Sequence, residues 1–425
     1  MEVRDILGGP GQSGMGIVYL VYADDSDWPL ALKTSQVTLE DQAREAFREE
    51  AWVWVHLGAH PNIVRAWFVD SYEDRLYVSL EYAARGSLRS VLQAGPIPLE
   101  QALLYASDFC RGLSHSRDRV PHLIHQDIKP VNCLIKAMYY GDGREDRYGV
   151  LAIADFGLAR IETNPSALTR LIKKISNRGK PSAPAGTLPY MAPEMFIAPD
   201  SISGSVDIYA FGVTLYEMLT GGRPFDAAVP EDIVAAHIDK VPIDPRRLNP
   251  AIPAELAALT LQCLAKQAAD RPSGFDEIYE GLISHMGDSL RQREQLIASL
   301  ANAVDEAVDL VHRAVSLDNM DDSRRALDLL NRALSLDSDL PTAWHSKGVV
   351  LYRLSRWQES LECTERAIGL LQLDDAQKYL LALCLMIKGH TLSRLGRDDD
   401  SRVAYESAAA MHQDIKEQLR AAGVL

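Results

Sequence analysis

Asp127-Ile128-Lys129-Pro130-Val131-Asn132 sets a carboxylate, an ammonium and an amide on one short stretch, and Asp155-Phe156-Gly157 adds a second carboxylate downstream. These groups suit phosphoryl transfer from ATP, which needs a base to orient a hydroxyl, a cation for the γ-phosphate and oxygen ligands for Mg²⁺. One such tripeptide arises by chance, whereas the ordered set does not.

Further groups stand upstream. Gly11-Gln12-Ser13-Gly14-Met15-Gly16-Ile17-Val18 lies between two β-like runs. Glycines let a backbone approach phosphates closely enough for its amide N–H groups to bond the oxygens. Alone, the pattern fits a glycine-rich hairpin turn equally well. Leu30-Ala31-Leu32-Lys33 follows as a strand ending in a lysine, at the right distance from the loop to reach α- and β-phosphates. Phe47-Arg48-Glu49-Glu50-Ala51 lies on the next helical run, where a carboxylate would clamp Lys33. Its position relative to His60-Pro61-Asn62-Ile63-Val64 selects Glu50, with Glu49 the adjacent alternative. Leu80-Glu81-Tyr82-Ala83 ends a strand before the Gly86-Ser87 turn, a hinge whose backbone would bond adenine.

The elements that must position these residues fall into three textures. Short β-rich runs, interrupted by a charged helical run from 39 to 57, extend to about residue 82. Longer helical patterns with proline-marked loops fill about 99 to 285. Beyond about 290, Pro341 is the one proline left, and Ala and Leu recur at helical spacing.

That last region repeats. Leu310-x-x-Arg313-Ala314-x-x-Leu317, Trp344-x-x-Lys347-Gly348-x-x-Leu351 and Leu385-x-x-Lys388-Gly389-x-x-Leu392 echo one another. Each precedes a second helix, marked by Ala326, Leu330 and Ala333, by Ser360, Thr364 and Ala367, and by Ser401, Tyr405 and Ala408. Ala333 to Ala367 is 34 residues and Ala367 to Ala408 is 41, so the surplus falls near 371–377. The pattern resembles the tetratricopeptide repeat, a helix pair with small residues where the helices cross. Lys347 and Lys388, where that family usually has Leu, and Leu351 and Leu392, where it often has Tyr, depart from it. An ordinary amphipathic bundle is the plainer reading.

Composition sets the bounds. A chain of 425 residues predicts two or three domains, and a net charge of −15 argues against general nucleic-acid binding. Five widely spaced cysteines without a C-x-x-C pair read as thiols in a reducing compartment. The charged N-terminus fits no signal peptide, and no apolar run reaches the roughly 18 residues of a membrane helix. A soluble, cytoplasmic protein is expected. His56, His60, His115, His122 and His125 lack metal-ligand spacing and read as structural.

Over roughly residues 1 to 285 the ordered motifs make the chain resemble the eukaryotic-like Ser/Thr protein kinases of bacterial type. The resemblance implies a two-lobed α+β domain, with an N-lobe over 1–82 and a C-lobe over 83–285. A helical connector over 286–303 and an all-α tetratricopeptide-like solenoid over 304–425 would follow. It further implies that Gly11, Ser13, Gly14, Gly16, Val18, Lys33, Glu50, Glu81 and Ala83 bind ATP, with Glu50 positioning Lys33. Asp127 would be the catalytic base, Lys129 would stabilise the transferring phosphoryl group, and Asn132 and Asp155 would bind Mg²⁺. Gly186-Thr187-x-x-Tyr190-Met191-Ala192-Pro193-Glu194 matches the substrate-docking end of the activation segment. Asp207 would brace the catalytic loop, Arg271 would pair with Glu194, and Thr187 with Lys129 favours a Ser/Thr acceptor.

Four departures qualify the resemblance. Ser13 replaces the middle glycine of the phosphate loop, and Gln126 replaces the arginine before Asp127. Without that arginine a phosphorylated activation loop lacks its usual cationic partner, so activity should not depend strongly on loop phosphorylation. The interval from Asn132 to Asp155 is long, with Asp142-Gly143 as a turn signal in an extended hairpin tip; a plain surface insertion is the simpler account. The segment from Asp155 to Glu194 is long and basic, with Arg160, Arg170, Lys173, Lys174, Arg178 and Lys180, and offers Thr169, Ser176 and Ser182 as acceptors. Such a run is ordinarily a solvated loop, the sharper reading being docking onto an acidic surface such as Asp398-Asp399-Asp400. Trp52 and Trp54 lie two apart on the first helix and cannot share a face.

The expected function is ATP- and Mg²⁺-dependent phosphorylation of protein Ser/Thr, with a protein or peptide ligand for the repeat groove and neither nucleic acid nor membrane as partner. The alternatives are a pseudokinase scaffold and a small-molecule kinase of the same fold.

Overall fold

Alternation of apolar and polar residues in the N-terminal runs produces an antiparallel sheet of order β1-β2-β3-β5-β4. Its strands are β1 Glu2–Gly8, β2 Gly16–Tyr22, β3 Pro29–Ser35, β4 Ala66–Tyr72 and β5 Arg75–Glu81. The computed structural model describes residues 2–8, 16–22, 29–35, 41–72, 75–140, 143–156, 159–161, 186–199, 202–302, 305–371 and 377–424. The chain divides into two compact units, Met1–Ala66 with Leu76–Ala303, and Trp67–Arg75 with Val304–Leu425.

In the first unit, helix α1 (Asp41–Leu57) follows β3. It buries Phe47, Glu50, Trp54 and Leu57, one stripe at helical spacing. Helices α2 (Leu88–Gln93) and α3 (Leu99–Arg119) lead into the larger helical lobe, where two short ladders, β6 (Leu123–Ile124) with β9 (Arg160–Ile161) and β7 (Cys133–Lys136) with β8 (Val150–Ile153), carry the loops of interest. The lobe continues through α4 (Pro193–Ile197), α5 (Ser205–Thr220), α6 (Pro230–Asp239), α7 (Ala254–Cys263) and α8 (Phe275–Ile283). Helix α5 is apolar nearly all round and buried accordingly, ending at Gly221 with φ of 79°. Phe109 of α3, Phe211 of α5 and Phe275 of α8 centre the lobe, with ring centroids 4.9 to 6.0 Å apart.

The segment expected as a connector is helix α9 (Asp288–Asn302), and it packs within the first unit. Its Ile297 is buried with Met138 and Val150, beside Tyr140 and Leu296. The long interval between Asn132 and Asp155 is the lengthened hairpin read from the sequence, closed by Tyr139↔Glu145 pairing and by Gly143 at φ of 81°. It is no bare surface insertion, because Met138 and Val150 seat α9.

In the second unit the helices are α10 (Glu306–Asn319), α11 (Ser323–Leu336), α12 (Pro341–Arg353), α13 (Trp357–Leu370), α14 (Lys378–Arg394), α15 (Asp398–Met411) and α16 (Gln413–Ala421). They pair α10 with α11, α12 with α13 and α14 with α15, and successive pairs stack. Every small or apolar position of the second-helix echo is buried, from Ala326, Leu330 and Ala333 to Ser401, Tyr405 and Ala408. The glycines mark the crossings. A Cβ on Gly348 would come 2.6 Å from Thr364 Oγ1, and one on Gly389 would come 2.4 Å from Tyr405 Cε1. Ser360 Oγ and Ser401 Oγ donate across the same crossings to Gly348 O and Gly389 O, at 2.7 and 2.8 Å. Ile415 and Leu419 of α16 close the stack over Ala382 and Tyr405. The backbone of Val69 belongs to this unit, donating to Ser316 Oγ (3.1 Å) and accepting from Asn319 Nδ2 (3.1 Å). Asp399 pairs with Arg402 of its own helix, and Asp400 with Arg397 at the N-cap of that helix.

Candidate active site

Strand alternation puts Ala31 and Lys33 on one face of β3, where Lys33 lies opposite Val18 of β2 and Val78 of β5. That face lines a cavity of about 640 Å³ with Leu7, Val18, Val64, Leu80, Glu81, Ala83, Leu134, Asn132 and Asp155. The walls are mainly apolar and the charged groups gather at one end, as a nucleotide pocket requires.

At that end the buried Lys33 Nζ pairs with buried Glu50 and with partly exposed Asp155, the latter through Oδ1 at 2.8 Å. Glu49 is exposed, so the structure selects Glu50 as the lysine's helix partner. Burial works to lower the Lys33 pKa, but Asp155 and Glu50 outweigh it and hold the ammonium above the ordinary lysine range. Burial raises the Glu50 carboxyl against the pull of Lys33. Asp155 resists its own burial and lies below the usual carboxylate range because of Lys33.

The second cluster is assembled by a loop braced from beneath. Asp207, in the first turn of α5, accepts the backbone N–H groups of His125 and Gln126, each at 2.9 Å. Gln126 and Asp155 both adopt positive φ (66° and 63°), a costly backbone for non-glycine residues that the surroundings enforce. Asp127 then meets Lys129, whose Nζ donates to both carboxylate oxygens at 2.8 Å. Thr187 Oγ1 accepts from Lys129 Nζ (2.9 Å) and donates to Asp127 Oδ1 (3.2 Å). Asn132 Nδ2 is spent on Asp127, at 2.8 Å to its carbonyl and 2.9 Å to Oδ2, which orients the amide. Ala154 N–H bonds Asn132 O at 2.9 Å, tying the Asn132 loop to the strand before Asp155.

Residues 5–285 match the protein kinase domain family. The chain belongs to the protein kinase family. It is 30% identical over 292 residues to serine/threonine-protein kinase PknB of Mycobacterium leprae, covering 66% of this chain and 42% of that protein. Serine/threonine-protein kinase PksC of Streptomyces coelicolor is 32% identical over 283 residues, covering 64% and 46%. Serine/threonine-protein kinase pkn2 of Myxococcus xanthus is 29% identical over 276 residues, covering 64% and 31%. The chain thus spans less than half the length of these relatives.

Within the kinase domain the remaining candidates fall as follows. Gly11, Ser13 and Gly14 lie outside the described residues, as do Gly157, the basic residues from Arg170 to Lys180, and Thr169, Ser176 and Ser182. Gly16 packs where a Cβ would stand 2.9 Å from Thr34 O, so the strand entry admits no side chain. Glu81 and Ala83 line the cavity, but the Glu81 carboxylate is held by Lys136 Nζ at 2.9 Å and its backbone N–H is given to Arg65 O at 2.8 Å, so neither is left to meet a base. Arg271 Nη1 and Nη2 fork onto both oxygens of Glu194 at 2.6 and 2.8 Å.

For two residues sequence reasoning missed the contacts that tie them to the site. Trp54 is buried, donates Nε1 to Glu50 Oε1 at 3.4 Å and meets Phe156 edge-on at 5.1 Å, whereas Trp52 stacks on His56 at 3.7 Å. The four-residue spacing from Glu50 to Trp54 was the available signal. Asn62 Nδ2 donates to Leu151 O at 3.0 Å and the Asn62 backbone carbonyl accepts from Ile153 N–H at 2.9 Å, fastening the segment after α1 to the hairpin that leads to Asp155. Nothing in the spacing of Asn62 announces that partner. Among the described residues no group of His, Cys, Asp and Glu forms a metal-binding cluster, and no helix is long and apolar enough to cross a membrane.

Proposed function

We propose that the chain is an ATP- and Mg²⁺-dependent kinase that phosphorylates Ser and Thr of proteins. The observation that carries this reading is Thr187, whose hydroxyl rests between Asp127 and Lys129 as an acceptor hydroxyl would. Asp127 Oδ1 accepts the hydroxyl proton and so aligns the oxygen for in-line attack, while Lys129 offers positive charge to the phosphoryl group in transit.

The residues fit a nucleotide and a metal. Asn132 spends its N–H on Asp127, so its amide oxygen remains for a cation. Asp155 is bound by Lys33 through Oδ1 and retains Oδ2. Two hard oxygen donors suit Mg²⁺, which would neutralise phosphate charge when bound. Lys33, fixed by Glu50, would hold α- and β-phosphates, and the apolar walls around Ala31, Val64 and Leu134 would take the base. The chemistry is positioning and electrostatics.

The helix pairs with small residues at their crossings support reading 304–425 as tetratricopeptide-like repeats that recruit a protein or peptide, substrate or regulator. Five buried free thiols accord with a reducing, cytoplasmic setting.

The test is intact-protein mass after incubation with ATP and Mg²⁺, comparing the natural chain with Asp127→Asn. Mass gained only by the natural chain, on Ser or Thr, is expected. Nucleotide-dependent stabilisation without transfer to itself or to any protein substrate would favour a pseudokinase scaffold.

A further inference from the structure

Helix α9 lies beyond the residues matched to the kinase domain, yet it carries two of the most deeply buried charges in the first unit. Arg293 and Glu294 are 5% and 4% exposed. Arg293 donates to Gly149 O and to both oxygens of Asp108, at 3.4 and 3.2 Å, and its Nε lies 3.8 Å from Asp146 Oδ2. Glu294 takes Arg111 at 2.6 Å. Buried charges are costly to desolvate, so such a network adds little net stability but admits one register of the helix on its seat.

That seat is the inserted end of the β7–β8 hairpin. Asp108 holds Leu151 N–H of β8 at 3.0 Å as well as Arg293. Gly149 has φ of 70°, and a Cβ there would come 2.3 Å from Lys136 O, so the turn is tightly closed where Arg293 grips it. A second guanidinium grips the same turn from the hinge. Arg85, just after cavity-lining Ala83 and Ala84, donates to Asp146 O at 2.7 Å and to Arg147 O at 3.1 Å, and pairs with Glu145 at 2.5 Å. Its own N–H reaches Ile135 O of β7 at 3.3 Å.

The other end of this hairpin carries the candidate metal ligands. Cys133 faces Ile153 in the last register pair, with Asn132 and Ala154-Asp155 immediately beyond. Four residue pairs separate the gripped end from the ligand end, roughly 13 Å of strand.

We propose that Arg293 is a positioning residue for the metal–nucleotide site: α9 anchors the far end of the β7–β8 hairpin, and with Arg85 on the hinge side it keeps Asn132 and Asp155 in the relation that a shared cation needs. The proposal rests on the reading of Asn132 and Asp155 as Mg²⁺ ligands. The helix following the kinase domain is thereby part of the catalytic apparatus.

The experiment uses the full chain with Arg293→Met, Arg293→Lys and Arg85→Gln. The readouts are melting temperature, KM for ATP, kcat, and the Mg²⁺ concentration giving half-maximal activity at saturating ATP. Arg293→Met is expected to raise the half-saturating Mg²⁺ at least about three-fold, below the roughly ten-fold typical of direct outer-shell partners, with Arg293→Lys partly restoring it. A folded Arg293→Met chain whose Mg²⁺ and ATP dependences match the natural ones, with only its melting temperature lowered, overturns the proposal. Should Arg293→Met not fold, Arg85→Gln at its partly exposed site carries the test: raised KM for ATP and half-saturating Mg²⁺ support the clamp, and unchanged values overturn it. Should the natural chain transfer no phosphate, Mg²⁺-dependent nucleotide binding followed by calorimetry on the same variants decides the point separately from the kinase reading.

Discussion

Trp54 donates its indole N–H to the carboxylate of Glu50 that holds Lys33, and the same ring meets Phe156 next to Asp155. One side chain thus touches both arms of the Lys33 cluster. Trp54→Phe keeps an aromatic ring against Phe156 but removes the hydrogen bond. A loss of about 1 kcal/mol, or about five-fold in kcat/KM for ATP, is expected with little change in melting temperature. Trp54→Ala should cost about 3–5 kcal/mol of stability through the cavity it leaves. Steady-state kinetics beside thermal melts separate the two, and an unaltered kcat/KM in Trp54→Phe would show that the bond has no part in catalysis.

Gln126 stands where the family has an arginine, and its backbone N–H is held by Asp207. With no arginine at that position to receive a loop phosphate, phosphatase treatment is expected to leave most of the kinase activity in place. Loss of most activity on dephosphorylation, restored by ATP, would refute this.

Acid should weaken the kinase unit. Burial first, with Lys266 next, pushes the His237 pKa from 6.5 down to about 3, and burial with His115 does the same for His60. In the unfolded chain both rings take protons near pH 6.5, while in the folded unit they stay neutral down to about pH 3. Stability is therefore full above about pH 6.5 and falls between there and pH 3, by up to about 1.4 kcal/mol per pH unit for each ring. His237→Asn should lower stability at neutral pH but flatten this slope by about one proton. Denaturant melts from pH 7 to pH 5 would reveal it, and an unchanged slope in the variant would exclude His237 as a source.

Gly389→Ala should damage the helical unit selectively, because the new Cβ would lie 2.4 Å from the buried Tyr405 ring. Overpacking of this kind costs about 1–3 kcal/mol. The expected outcome is a lower melting transition for the repeats with the nucleotide-bound transition of the kinase unit unmoved. An alanine tolerated without loss would mean that the α14–α15 crossing yields to a methyl group.

The candidate site residues were legible one by one, since Asp127, Lys129, Asn132 and Asp155 sit in short motifs whose side-chain types and spacing suit phosphoryl transfer. The repeat was legible for a related reason: its small residues recur at one helical phase, and those positions are buried at the crossings. Glu50 against Glu49 was a choice between neighbours, and only the way α1 packs decided it. A helix rotates successive side chains by about 100°, so one carboxylate faces Lys33 and the other faces water.

What only the tertiary structure decided are the contacts between segments far apart in sequence. Trp54 against Phe156, Asn62 against Leu151, and Arg293 against Asp108 and Gly149 join residues 89 to 185 positions apart, or pair rings that no local pattern links. The 286–303 stretch reads locally as an amphipathic connector, because its charges look like those of any solvated helix. Burial of Arg293 and Glu294 becomes affordable only when Asp108, Asp146 and Arg111 surround them, and that arrangement exists only after the hairpin and α3 have folded beside it. Local spacing chooses the chemical groups, whereas the desolvation and pairing that tune them are set by long-range packing.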